Sequence, residues 1–239
     1  MMRAISAIAG REWASMLRTP SGWIVIALYL LLSGIAVAVS TVEPGVPASL
    51  RQFFGASHLI MLVVAPAIAM RLMSEEFRAG TIEPLMAAPI SDWAIVIGKY
   101  LGGVAFLLTL LAPTLLYVAL LEWLSDPDYG PILAGYLGLT LLGMLYIAVG
   151  LLVSSLTRST VVALLGTLFA LMVIELAAGQ GSQHVGQPYA RILEALSVRT
   201  RLADFAKGVI DTAHIAFFLL TTGWFVCLAA VATESRRWR

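Results

Sequence analysis

The chain has 239 residues, of which 60% are apolar and 12% charged, with a mean hydropathy of +0.91 and a formal charge of +1. So large an apolar excess excludes a soluble domain and identifies an integral membrane protein, and the near-neutral charge argues against a nucleic-acid partner. At about 20 residues per crossing of a roughly 30 Å hydrocarbon core, the length accommodates about six helices with short loops. The expected fold is an all-α polytopic membrane helix bundle forming one domain over residues 1–239.

Residues 1–20 place Ile5, Ile8, Ala9, Trp13, Met16 and Leu17 at helical spacing, with Arg3, Arg11 and Arg18 among them. The pattern fits an interfacial helix whose arginines reach the headgroups; it also fits the basic flank of any first crossing. Thr19-Pro20-Ser21-Gly22 supplies a bend. Apolar runs follow at 22–42, 54–73, 94–121, 132–156, 160–178 and 213–232. Each is expected as a helix, because lipid offers the backbone no other partner. The first run is longer than the core of a cleavable signal.

Between the second and third runs stands a polar island, Arg71 to Asp92. It contains Glu75, Glu76 and Arg78, then Gly80-Thr81, Glu83-Pro84-Leu85-Met86 and Pro89-Ile90-Ser91. Turns and a short helix are expected: Thr81 as cap, Pro84 in the first turn, Pro89 as terminator, and Ser91 or Asp92 capping the next helix. A short helix showing Leu85 and Met86 among carboxylates suits a groove on another protein, while an ordinary solvated loop is the plainer alternative. Gly98-Lys99 is not a phosphate loop, because Trp93 stands where the first glycine belongs and Tyr100 replaces the hydroxyl.

Gly98 and Gly102, with Gly135, Gly138 and Gly143 in the fourth run, permit close helix contact, within the subunit in preference to a dimer seam. Glu175 is the acid set inside an apolar run, a candidate substrate or gate residue or a snorkelling interfacial carboxylate. His58, His184 and His214 are scattered without metal-ligand spacing, so no metal site is expected, and Cys227 has no second cysteine to pair with. The segment 179–211 turns amphipathic, with Ile192, Leu193, Leu196, Leu202 and Phe205 among charges. It is expected to form one or two short extracytoplasmic surface helices, acting as a gate with Phe205, as a partner contact, or as a plain cap.

Ten Lys and Arg residues fall on the side holding both termini and the island, against five on the other. By the positive-inside rule the termini and the island are expected in the cytoplasm.

The island from Glu75-Glu76 through Gly80-Thr81, Leu85, Pro89-Ile90-Ser91 and Gly98-Lys99 resembles the cytoplasmic loop of type-2 ABC transporter permeases. Arg11-Glu12 with Thr19-Pro20-Ser21-Gly22-Trp23 resembles that family's elbow helix and its junction. Leu196-Ser197, 205–211 and Arg236-Arg237-Trp238 are similar to the end of gliding-motility permeases, in a branch that includes a permease for copper-enzyme maturation. The resemblance implies a permease subunit of the bacterial inner membrane, working as a homodimer or with a related permease. It implies cytoplasmic ABC ATPase subunits as partners, with ATP and Mg on the ATPase and no cofactor on this chain. A coupling loop over 74–92 would carry Glu75, Glu76, Arg78, Thr81, Glu83, Leu85, Met86 and Pro89. An auxiliary membrane or periplasmic protein is a further expected partner. Export and mechanical work on an extracytoplasmic assembly both stay open. An ion-coupled secondary transporter is the alternative, though it would be expected to show more intramembrane polar residues than Glu175; an intramembrane enzyme lacks a catalytic set.

Overall fold

The computed structural model describes residues 2–41, 49–80, 91–124, 127–181 and 197–236. Among these, every regular element is helical: α1 (Met2–Arg18), α2 (Pro20–Thr41), α3 (Arg51–Ala69), α4 (Ser74–Ala79), α5 (Asp92–Leu111), α6 (Leu115–Leu124), α7 (Tyr129–Leu156), α8 (Thr160–Leu176), α9 (Val198–Phe205) and α10 (Thr212–Arg236). A 3-10 turn, Ala112–Thr114, joins α5 to α6, and a π turn, Ala177–Gly181, extends α8.

Among the described residues six stretches are long and apolar enough to cross a membrane: Pro20–Val39, Arg51–Ala79, Asp92–Leu124, Tyr129–Leu156, Thr160–Gly179 and Thr212–Ser235. They coincide with the six expected runs. With six such helices crossing in turn, α1 and the end of α10 fall on one face, the terminal face; the other is the distal face.

The second and third stretches are longer than their apolar runs. Glu75, Glu76 and Arg78 lie on a helical turn, α4, that continues beyond α3. Its acids occupy the first turn and its arginine the last, which complements the helix dipole. Gly80 ends it in the left-handed region at φ 69°, a conformation that costs other residues more. In the third stretch Pro113 lacks the N–H that an α-helix needs, and the ladder tightens into the 3-10 turn there. Of the two candidate caps for α5, Ser91 is the one used, its hydroxyl accepting from the Ala94 N–H at 3.3 Å.

α7 forms the centre, apolar on all sides and buried along most of its length. Lipid tails are as apolar as leucine, so packing inside a bilayer rests on close contact more than on water exclusion. Glycines supply that contact: a Cβ at Gly143 would stand 2.5 Å from Leu107 of α5, and one at Gly138 would stand 2.8 Å from Phe205. The outer helices keep apolar faces open, with Ile24, Leu31 and Ile35 on α2 and Val161, Leu165 and Phe169 on α8.

α1 lies along α5, running in the same direction. Ile5 and Ile8 meet Gly98, Ala9 and Glu12 meet Gly102, and the Trp13 indole N–H donates to Thr109 Oγ1 at 2.9 Å. The Gly98/Gly102 pair is therefore the seat of the amphipathic helix of the same subunit. Arg3, Arg11 and Arg18 all stay exposed on its other side.

Candidate functional site

The terminal face holds a network of charges joining three elements that lie far apart in the chain. Lys99, about two turns into α5, is buried, with its side chain 2% exposed. Its ammonium lies 3.0 Å from Glu12 Oε2 of α1 and 2.9 Å from Glu76 Oε1 of α4. Arg11 reaches the same Glu76 oxygen at 4.0 Å from the exposed side. One buried cation thus clamps the amphipathic helix, the start of the island and the third crossing.

A second clasp lies beside it. Arg71 makes a two-pronged ion pair with Glu75, at 2.9 and 3.3 Å, and its remaining nitrogen donates to Thr19 Oγ1 at 3.2 Å and Ser21 Oγ at 2.5 Å. The bend between α1 and α2 is thereby fastened to the root of α4. Trp23 adds a bond from its indole N–H to the Leu17 carbonyl at 2.8 Å. Together the two clasps bind the whole N-terminal elbow to both flanks of the island.

Of the residues expected in the coupling loop, Glu75 and Glu76 are engaged within the chain, and Arg78 is exposed on the far side of α4. Thr81, Glu83, Leu85, Met86 and Pro89 lie outside the described residues. Glu12, Arg71 and Lys99 went unassigned as site residues in the sequence. The available signal was a lysine surrounded by apolar residues on the inner part of the third crossing.

Glu175 does not snorkel. Tyr146 Oη donates to its Oε1 at 2.6 Å, and His58 Nε2 lies 3.0 Å from the same oxygen and 3.2 Å from Tyr146 Oη. The trio ties α3, α7 and α8 together inside the bundle, with the His58 side chain 5% exposed and that of Glu175 16%. Burial strengthens such bonds and makes their loss costly. Glu175→Leu strands two buried donors and is expected to lower stability by about 1–3 kcal/mol, while Glu175→Gln, which keeps an acceptor oxygen, loses less. Unfolding in micelles followed by tryptophan fluorescence compares the two, and equal losses would show the trio to be energetically idle.

Phe205 is buried beneath Gly138, with its ring 6.0 Å from His214 and 6.4 Å from Phe218. It anchors α9 to α7 and α10. Beside it Arg201 lies over the Phe217 ring, 4.0 Å from its centre. Burial holds the Arg201 guanidinium below the usual arginine range, and Asp211 opposes that shift.

A comparison with protein families matches residues 52–207 to the ABC-2 family transporter protein. The match covers well over half of the chain and runs from α3 through α9. The chain belongs to the ABC-2 transporter family. It is accordingly a multi-pass permease subunit of an ABC transporter, a membrane component and not itself the catalyst, in a family whose members partner an ABC ATPase. This membership displaces the secondary-transporter alternative. A search of the curated proteins gave no match. Within the ABC-2 chain the matched region holds Arg71, Glu75, Glu76 and Lys99, while α1 with Glu12 lies before it.

Proposed function

We propose that this ABC-2 permease converts ATP hydrolysis by a separate cytoplasmic ATPase into movement of its helices, for export of a substrate or for work on an extracytoplasmic assembly. The terminal face is the cytoplasmic one, as the ten-to-five bias of Lys and Arg supports. The membrane is the bacterial inner membrane, and the working unit is a pair of permeases, a homodimer or a pairing with a related chain. The gliding-motility and copper-enzyme-maturation branch is supported by the resemblance of residues 205–211 and the basic C-terminal end.

One observation carries the coupling role: the buried Lys99 clamp. Residues 81–90 of the island link α4 to α5 in the chain, and α4 and α5 are locked to each other and to α1 through Glu76, Lys99 and Glu12. A force applied to the island therefore acts on the elbow and the third crossing as one body. Glu76 serves this clamp and Glu75 the Arg71 clasp beside it, which leaves Glu83, Leu85 and Met86 as the surface for the ATPase.

The permease is expected to co-purify with an ABC ATPase from gently extracted native membranes. Glu83→Lys or Leu85→Asp is expected to release that ATPase, or to leave its hydrolysis unresponsive to the permease, without changing membrane insertion. Undiminished association and activity in both variants would sink the docking role. A preparation free of ATPase even after crosslinking would sink the coupling reading itself.

A further inference from the structure

On the distal face α3 and α9 form the two walls of a cavity of about 370 Å³. Each wall is one helical stripe. On α3 it comprises Arg51, Phe54, Gly55, His58 and Leu59; across from it stand Arg199, Leu202 and Lys207. Cations occupy the rim and apolar side chains the middle. Lys207 is partly balanced by Asp204 at 3.0 Å, whereas Arg51 and Arg199 have no carboxylate within ion-pair distance among the described residues. Glu175, behind His58, is engaged by His58 and Tyr146 and lies within electrostatic reach of Arg199, whose charge it offsets in part.

The apolar part of the cavity does not stop at its floor. Gly55, Leu59 and Val63 form an exposed stripe at four-residue intervals down α3, with Leu59 63% and Val63 51% exposed. At 1.5 Å per residue the stripe carries an apolar track roughly 18 Å inward from Arg51, close to the depth of one leaflet. Gly55 has nothing within 4 Å of the place where a Cβ would stand, so the wall is open there. Two arginines facing one cavity at the membrane end of α3, with an open apolar track below them, suit the phosphate and one tail of a phospholipid better than a free anion.

We propose that this groove binds one anionic phospholipid, with its phosphate between Arg51 and Arg199 and an acyl chain along Gly55, Leu59 and Val63. Binding requires neither nucleotide nor ATPase, so it stands apart from the coupling role.

The test uses the full chain in micelles, equilibrated with mixed vesicles of phosphatidylglycerol and phosphatidylcholine, with retained lipid read by native mass spectrometry. The wild type is expected to retain one phosphatidylglycerol in about tenfold preference over phosphatidylcholine. Arg51→Glu with Arg199→Glu is expected to abolish that preference. Gly55→Leu fills the groove without touching its charge, at a position with open space, and is expected to lower retention about tenfold. Unfolding midpoints equal to the wild type's establish that the variants are folded. Equal retention of both lipids by the wild type overturns the proposal. Undiminished retention by Gly55→Leu also overturns it and shows attraction by surface charge only, and displacement of the lipid by millimolar inorganic phosphate overturns it in favour of a free-anion site.

Discussion

Lys99→Met is expected to be among the most damaging single substitutions outside the core, lowering stability by about 3–5 kcal/mol. The lysine stands between two carboxylates whose own side chains are only 16% and 14% exposed. Removing it leaves Glu12 and Glu76 facing each other in a poorly solvated place, so the loss combines the missing attraction with a repulsion that had been masked. The sign can be checked internally: Glu12→Gln together with Glu76→Gln in the Lys99→Met background is expected to recover a large part of the loss, because neutral amides tolerate burial better than unpaired charges. Unfolding in micelles supplies the free energies. A fully additive combination, with no recovery, would show that the three charges act independently and would remove the clamp from the account of coupling.

The second large effect is expected at Gly102. A Cβ placed there would stand 2.6 Å from Glu12 Cβ and 3.0 Å from the Ala9 carbonyl oxygen. The second of these is backbone and cannot rotate away. Gly102→Leu therefore pushes α1 off α5, with a cost of about 1–3 kcal/mol from overpacking. That displacement also pulls Glu12 from Lys99. Hydrogen exchange of the α1 amides reads the result: protection is expected to fall by about tenfold or more from Ala9 onward, while α7 amides, on the far side of α5, keep theirs. Unchanged protection in α1 would mean that the close approach at Gly102 carries no weight.

Much of this architecture was legible in the sequence because a bilayer demands long apolar runs, and those runs set the six crossings to within a few residues at most ends. Local chemistry was legible where it acts over three or four positions, as with Ser91 capping α5 and Arg11 and Arg18 staying on the outer face of α1. What the sequence did not disclose was pairing across the bundle. Lys99 reads as a lone charge near the start of the third run until α1 and α4 bring Glu12 and Glu76 to it. His58 reads as an isolated core histidine, and Glu175 as a carboxylate near an end, because 117 positions separate them. Tyr146 carries no signal at all in a run of leucines and valines. Helical periodicity shows which face of a helix is buried, but not which distant helix will meet it.

The separation of His58 from Glu175 has a consequence for synthesis. α3 leaves the ribosome with a histidine and no acceptor, and the carboxylate that completes it follows 117 residues later, a delay of roughly 6–23 s at ordinary translation rates. Throughout that interval the second crossing must wait in the insertion machinery or in lipid with an incomplete polar site. Lys99 never faces this wait, since Glu12 and Glu76 are both made before it. The Lys99 clamp can thus close as the chain emerges, whereas the His58 site inside the bundle is complete only when the fifth crossing arrives. Truncated nascent chains ending before Glu175 should be the forms that quality-control proteases recognise.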